Sequence, residues 1–364
     1  MKARAAVLVA DRKLEIRHFD VPEEHPPGWG LLRVEGCGIC GSDVEQYDGV
    51  TRAAGICEYP VIPGHEIVGR IAALDDDGRR RWGVEVGDRV AMHGTAGCGV
   101  CVQCRRGARC HTQFYYGFRS ANLGSGLWGG YAEYLQLAPN ATLFPMPAHL
   151  PVEDAVLFNP LAAGFDWVIK EGRTGLGDSV VICGPGQRGL ASVIGAREAG
   201  AGQIIVTGLA RDRDKLALAR LLGATTTLVV GEDDVVDAVR DLTEGRGADR
   251  VVDTTPLATQ PVIDALTFVR TGGTIVLAGL KGGRTMAGFP VDTIVHKKIT
   301  VVGVLSTSAW AVDQAIRTIS SGRYPLSDLH TATMPLERAD LAIRMLAGEV
   351  EGESPVHLTV VPTG

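Results

Sequence analysis

Residues 180–189 read VVICGPGQRG, an apolar run of strand character that enters a turn with glycines at 184, 186 and 189 and continues into the helix-like segment LASVIGAREAG. A glycine spacing of this kind between strand and helix constrains the chain to a βα turn able to hold a dinucleotide. Gly184 permits the tight turn, Gly186 the close approach of a pyrophosphate to backbone N–H groups, and Gly189 the packing of helix on strand. Gln187 lies inside the same turn, and the helix start contributes oriented donors and partial positive charge for the phosphates.

The rest of the chain is organised around this turn. From residue 151 a helical stretch, VEDAVLFNPLAAGFDWVIKEG, precedes strands and helices in alternation: VVICG, QIIVTG, TTLVV, DRVVDTT and GTIVLAG, each followed or preceded by a helical segment. Near-continuous apolar strands in such an alternation predict a parallel sheet covered on both faces. ITVVGVL near residue 300 is a candidate sixth strand completing two βαβαβ halves. The first part is instead β-rich, with MKARAAVLV, KLEIRHFDV, LLRVEGCGI and residues 66–74 and 88–92 as strands, and the charged DDDGRRR as a solvated hairpin tip. The expected organisation is α/β, with a doubly wound parallel-sheet dinucleotide domain at 156–295 inserted into a β-rich domain built from 1–155 and 296–364. The 364 residues suffice for two cores, and a cleft between the domains is the expected substrate site.

Composition narrows the partners. A net charge of -6 gives no footprint for nucleic acid, and no apolar stretch reaches the length of a membrane span. The basic start MKARAAVLVADRK lacks an h-region of signal length, so the chain is expected in the cytoplasm. Four of the eight cysteines crowd together as Cys98, Cys101, Cys104 and Cys110, a C-x2-C-x2-C-x5-C pattern. Four thiolates at that spacing wrap a tetrahedral Zn2+ with no open position, which makes a structural site. A second constellation is GCGICGSD (36–43) with YPVIPGHE (59–66), where Cys40 and His65 offer a sulfur and an imidazole and Glu66 a carboxylate. A catalytic zinc takes three protein ligands and keeps one position for water or substrate. Tyr47, Tyr59, Phe114, Phe118 and Phe158 lie near these motifs as pocket or core aromatics.

GCGICGSD, PGHE, the four-cysteine segment, WGGYAEY (128–134) and GPGQRG, in that order, resemble the zinc-dependent medium-chain dehydrogenases of alcohols and polyols. The resemblance spans nearly the whole chain. It implies a GroES-like β-rich catalytic domain interrupted by a Rossmann domain, and a homodimer or homotetramer assembled through the Rossmann sheet edge. It implies Cys40 and His65 as catalytic zinc ligands, Glu66 at or near the metal, Ser42 as the hydroxyl that takes the substrate proton, and the four cysteines as structural zinc ligands. The implied reaction is hydride transfer between an alcohol, a secondary alcohol by the CGSD form, and NAD(P), giving the ketone or aldehyde.

Three positions depart from the family pattern. Its third zinc ligand falls at Asn159, a neutral amide: Asn159 coordinates weakly, Glu66 completes the site, or the metal is lost, and the better donor, Glu66, is favoured. The relay histidine position holds Glu45, which would receive the proton. The last gap of the cysteine segment is two residues shorter than usual. At the end of the second Rossmann strand, where NAD enzymes carry an acid, stands Gly208, followed by Arg211, Arg213 and Lys215, which favours NADP over NAD. A member that has lost its catalytic zinc and reduces a double bond or quinone with NADPH is the alternative within enzymes, and a non-catalytic dinucleotide-binding redox sensor the alternative outside them.

Overall fold

The computed structural model describes residues 1–106 and 110–362. Its contacts divide the chain into two compact units, one of residues 1–158 with 330–364 and one of residues 159–329. The first boundary lies three residues beyond the expected 155/156. The second falls at 329/330 rather than 295/296. The expected sixth strand, ITVVGVL, is present as Thr300–Gly303, which pairs in parallel with Val269–Leu277 and carries the inserted unit past the expected boundary.

The inserted unit is a six-stranded parallel sheet. Numbered along the chain, its strands (Ser179–Cys183, Gln203–Gly208, Thr226–Val229, Ala248–Asp253, Val269–Leu277, Thr300–Gly303) stand in the order 3-2-1-4-5-6. That is the doubly wound order with a topological switch point beside the first strand, where ligands of such sheets bind. The first strand is buried along Val180, Val181, Ile182 and Cys183, which is why it reads as an unbroken apolar run. The helical stretch before it ends in a π-helical turn, Asp166–Glu171.

The outer unit is a mostly antiparallel sheet about the strand Gly30–Gly38. One edge of that strand pairs along its length with Glu66–Leu74, while the other is shared between Tyr134–Leu137 at its start and His357–Val361 at its end. A separate hairpin joins Lys2–Ala10 to Lys13–Asp20. Trp128, Tyr116, Tyr131, Leu32 and Ile67 fill the core.

DDDGRRR is not a hairpin tip but the helix Asp76–Trp82. Asp75 caps it by accepting from the Gly78 N–H at 2.7 Å and also accepts from the Gly28 N–H at 2.8 Å, and Gly83 closes it in the left-handed conformation. The charged run thus follows helix-end chemistry, acids first and arginines last. The sequence gives no signal for the strand His330–Pro335 or the helix Val291–Lys297, and a 3-10 turn, Leu336–Arg338, leads into the helix Ala339–Leu346.

Candidate active site and cofactor turn

Cys40 ends the central strand region and starts the helix Gly41–Tyr47. Its backbone N–H donates to Asp43 Oδ2 at 2.8 Å, and its carbonyl oxygen accepts from the Asp43 N–H at 3.0 Å. His65 and Glu66 arrive from the segment IPGHE, whose course depends on glycines. Gly64 has φ +90°, and a side chain at Gly129 would stand 1.9 Å from the Ile62 carbonyl oxygen. A side chain at Gly130 would stand 2.5 Å from the Cys37 sulfur. WGGYAEY therefore lies against the histidine loop, and Gly130 N–H donates to Gly64 O at 2.9 Å and Tyr131 N–H to Pro63 O at 3.0 Å.

One ligand atom each from Cys40, His65 and Glu66 lie within 4.8 Å of one another, a sulfur, an imidazole nitrogen and a carboxylate oxygen converging on a single point. Cys40 and Glu66 are buried. His65 Nδ1 lies 3.4 Å from Asp43 Oδ1, which directs Nε2 away from Asp43, and Nε2 is 3.3 Å from Ser42 Oγ. Burial pushes the His65 imidazolium down, but the charges and hydrogen bonds of Asp43 and Cys40 outweigh it and hold the pKa well above the ordinary histidine value. The donor set and its convergence fit a zinc ion with room for one further ligand. A carboxylate behind a ligating histidine fixes tautomer and ring orientation, and Asp43, inside GCGICGSD, stands in that position toward His65, a candidate role that the motif alone does not display.

Ser42 and Glu45 are three residues apart on the same short helix, a spacing that puts them on one face. Burial raises the Glu45 carboxyl, which is half-buried rather than a surface charge. Of the five aromatics, Phe118 packs on the His65 ring at 5.6 Å between centroids. Phe114 packs into the core against Tyr116 and Trp128, Tyr47 bonds Asp340, Tyr59 donates to Gln46 O, and Phe158 is fully buried.

The four cysteines of the second cluster also place their sulfurs within 4.8 Å of one another. Cys98 and Cys104 are 4.0 Å apart and Cys101 and Cys110 3.9 Å apart. A tetrahedron with Zn–S bonds of about 2.3 Å has edges of ~3.8 Å. Backbone N–H groups of Cys98, Cys101 and Cys104 point at the sulfurs of Cys110, Cys98 and Cys101 at 3.3–3.4 Å. The Cys98 N–H is the main reason the Cys110 thiol is drawn down to about 6. These residues fit a closed structural zinc site. The shortened gap before Cys110 spans 105–109, of which 107–109 lie outside the described residues.

In the inserted unit the fingerprint glycines divide by role. Gly184 has φ +95°, and a side chain at Gly189 would stand 1.8 Å from the Gly184 carbonyl oxygen, whereas one at Gly186 meets nothing within 4 Å. Gly186 caps the helix Gln187–Glu198, and the Gln187 side-chain oxygen is buried with no partner among the described residues. At Gly208 a side chain would press on Pro185 at 2.9 Å and on Leu216 at 3.2 Å, so the fingerprint itself crowds the position. Asp212 turns back to accept from the Leu209 N–H at 3.0 Å. Arg213 is paired with Glu232, so it leaves the basic set and Arg211 and Lys215 remain. Burial pushes the Lys215 ammonium down, with Asp212 opposing and Arg211 adding to the shift.

Asn159 Oδ1 accepts a hydrogen bond from Arg188 Nη2 at 3.2 Å, and the Arg188 guanidinium lies over the Trp167 ring at 5.4 Å. The amide oxygen, one of the candidate metal donors, is thus engaged by a cation. The signal was an arginine inside the glycine fingerprint, read only for its glycines.

Residues 26–148 match the alcohol dehydrogenase GroES-like domain model and residues 189–321 the zinc-binding dehydrogenase model. A Mycobacterium tuberculosis protein named "Probable alcohol dehydrogenase adh" is 42% identical over 99% of this chain and 98% of its own. The erythritol/L-threitol dehydrogenase of Mycolicibacterium smegmatis is 30% identical over 99% and 98%. The crystal structure of an alcohol dehydrogenase from Thermotoga maritima superposes with a TM-score of 0.88 at 26% identity, covering 99% of both chains.

Proposed function

The chain belongs to the zinc-type medium-chain dehydrogenase/reductase family, and from that membership we propose that it is a zinc-dependent dehydrogenase of secondary alcohols or polyols. The observation that carries the reading is the convergence of Cys40, His65 and Glu66 on one point with Asp43 behind the imidazole. When bound, zinc supplies Lewis-acid polarisation of the substrate hydroxyl and the nicotinamide supplies the hydride acceptor. The residues do the rest. Asp43 keeps the His65 proton on Nδ1, so that Nε2 stays a donor of electron density to the metal. Ser42, beside that nitrogen, receives the hydroxyl proton, and Glu45 on the same helix face takes it onward; a carboxyl raised by burial is a better-matched acceptor near neutral pH than an exposed one. Glu66 rather than Asn159 is the third protein ligand, because a carboxylate balances the metal's charge while the Asn159 oxygen already serves Arg188.

The preferred cofactor is NADP. Gly208 offers no carboxylate to repel a 2'-phosphate, and Arg211 supplies charge for it. Arg211→Leu should raise KM for NADP about tenfold while leaving that for NAD within about twofold. A panel of secondary alcohols and polyols assayed with both cofactors, wild type beside variant, reads activity and preference together. No turnover on any alcohol with either cofactor refutes the dehydrogenase reading, and equal effects on NAD and NADP refute the role of Arg211.

The strand Thr300–Gly303 pairs on one side only within the sheet, and apolar residues on and around it are exposed: Val295, Val301, Leu305 and Trp310. An exposed strand edge of this kind invites pairing, and the partner is a second copy of the chain. Light scattering should give at least a dimer, and Val301→Pro, which removes a donor from the edge, a smaller species. A wild type that is monomeric at tens of micromolar contradicts this. Eight free thiols suit a reducing compartment, the cytoplasm, and among the described residues no helix is long and apolar enough to cross a membrane.

A further inference from the structure

The strand His357–Val361 meets the strand Gly30–Gly38 through the pair Thr359 and Gly38, and Gly38 in turn pairs with Glu66. Directly paired residues share a face of a sheet, as do residues two apart along one strand. His357, Thr359 and Glu66 therefore project from the same face, with Gly38 between them. The His357 and Glu66 side chains are both fully buried, and His357 Nε2 lies 3.8 Å from Glu66 Oε2. A side chain at Gly38 would stand 2.4 Å from Glu66 Oε2 and 2.8 Å from His357 Nε2, so the glycine leaves open the space through which the two groups face one another.

Neither ring nitrogen of His357 has a hydrogen-bond partner among the described residues. A fully buried imidazole with both nitrogens unsatisfied is costly, and it is retained where a nearby group rewards it. His330, the other titratable ring beside it, lies at 6.1 Å between centroids and directs its own Nε2 to Thr333 Oγ1 at 3.0 Å. The Glu66 carboxylate is the group left within reach. At 3.8 Å the two atoms are about 1 Å beyond hydrogen-bond distance, a gap that a small rotation of the carboxylate closes.

We propose that His357 is a positioning residue for Glu66: its Nε2–H takes one carboxylate oxygen and turns the other toward the point shared with Cys40 and His65, so that Glu66 serves as a fixed third ligand of the catalytic zinc. The inference rests on the reading of Cys40, His65 and Glu66 as that zinc's ligands. It explains how the site compensates for the amide at Asn159: the carboxylate is anchored from behind by a residue at the far end of the chain. Outer hydrogen-bond partners of metal ligands are typically worth 10–100-fold in metal affinity.

The test is zinc affinity of the full chain by chelator competition, together with the visible spectrum of the cobalt-substituted protein, for Glu66→Gln, His357→Leu, His357→Gln and the double variant Glu66→Gln/His357→Leu. His357→Leu should weaken the catalytic-site metal 10–100-fold and shift the cobalt bands, leaving the four-cysteine site loaded. His357→Gln, which keeps a donor, should recover most of the loss. His357→Leu should cost nothing further when Glu66 is already glutamine. Should the leucine variant not fold, Gly38→Ala, which wedges a methyl between the two side chains, replaces it with the same expected loss. Wild-type affinity in Glu66→Gln overturns the ligand reading and the inference with it. Weakened affinity in Glu66→Gln with wild-type affinity in His357→Leu overturns the inference alone.

Discussion

Cys40→Ser should lower kcat/KM for alcohol oxidation by about 10^3-fold or more while changing the dinucleotide Kd by less than about threefold, and should reduce bound zinc from two ions per chain to one. The expected size follows from what the thiolate contributes. Its sulfur sits with His65 and Glu66 around one point, whereas a serine hydroxyl is a neutral ligand that binds zinc weakly. With the metal gone, His65 Nδ1 still faces Asp43 Oδ1, 3.4 Å away, but the site has no Lewis acid. The dinucleotide turn belongs to the other compact unit and is untouched by the change. Metal analysis and cofactor titration of the purified variant check the three parts separately. Activity within tenfold of wild type contradicts the metal assignment.

The second large effect distinguishes two glycines of the fingerprint. Gly189→Ala places a methyl 1.8 Å from the Gly184 carbonyl oxygen, a backbone atom that cannot step aside without distorting the turn. Helix propensity gains about 1 kcal/mol from the exchange, but overpacking against backbone costs about 3 kcal/mol, so the variant should melt earlier and bind dinucleotide at least about tenfold more weakly. Gly186→Ala meets nothing within 4 Å, so its stability should fall by about 1 kcal/mol or less. Its methyl stands where the backbone would approach a pyrophosphate, and its dinucleotide Kd should rise about tenfold all the same. Calorimetry on both variants reads stability and binding together. Equal melting temperatures for the two, or full binding by Gly186→Ala, would show that the glycines do not divide the work in this way.

These predictions draw on features that differ in how openly the sequence displays them. The fingerprint and the four-cysteine cluster are local: each is a spacing within a dozen residues, and the backbone that realises it is the same short stretch. The catalytic cluster needed Cys40 and His65 to be brought together, and their motifs signalled it. What stayed hidden depends on contacts across the chain. His357 reaches Glu66 only because three strands pair in one register. Glu232 removes Arg213 from the cofactor-binding set because the turn after the third Rossmann strand folds back beside it. The sixth strand itself was legible as ITVVGVL and is found at Thr300–Gly303, but that the segment from there to residue 329 stays with the inserted unit is a matter of contacts across the chain. DDDGRRR was misjudged for a different reason. Charge density reads as a solvent-facing turn, but the capping carboxylate of Asp75 and the left-handed Gly83 mark helix ends just as locally, and they decide the matter.

The central claim is that the catalytic zinc is held by Cys40, His65 and Glu66, in a chain whose other zinc is held by four cysteines. Anomalous diffraction at the zinc edge from crystals of the metal-loaded protein tests it most directly. The account predicts two peaks, one bonded to Cys40, His65 and Glu66 at about 2.0–2.3 Å and one bonded to Cys98, Cys101, Cys104 and Cys110 at about 2.3 Å. A single peak at the four cysteines, or a catalytic-site ion bound by Asn159 in place of Glu66, would contradict it.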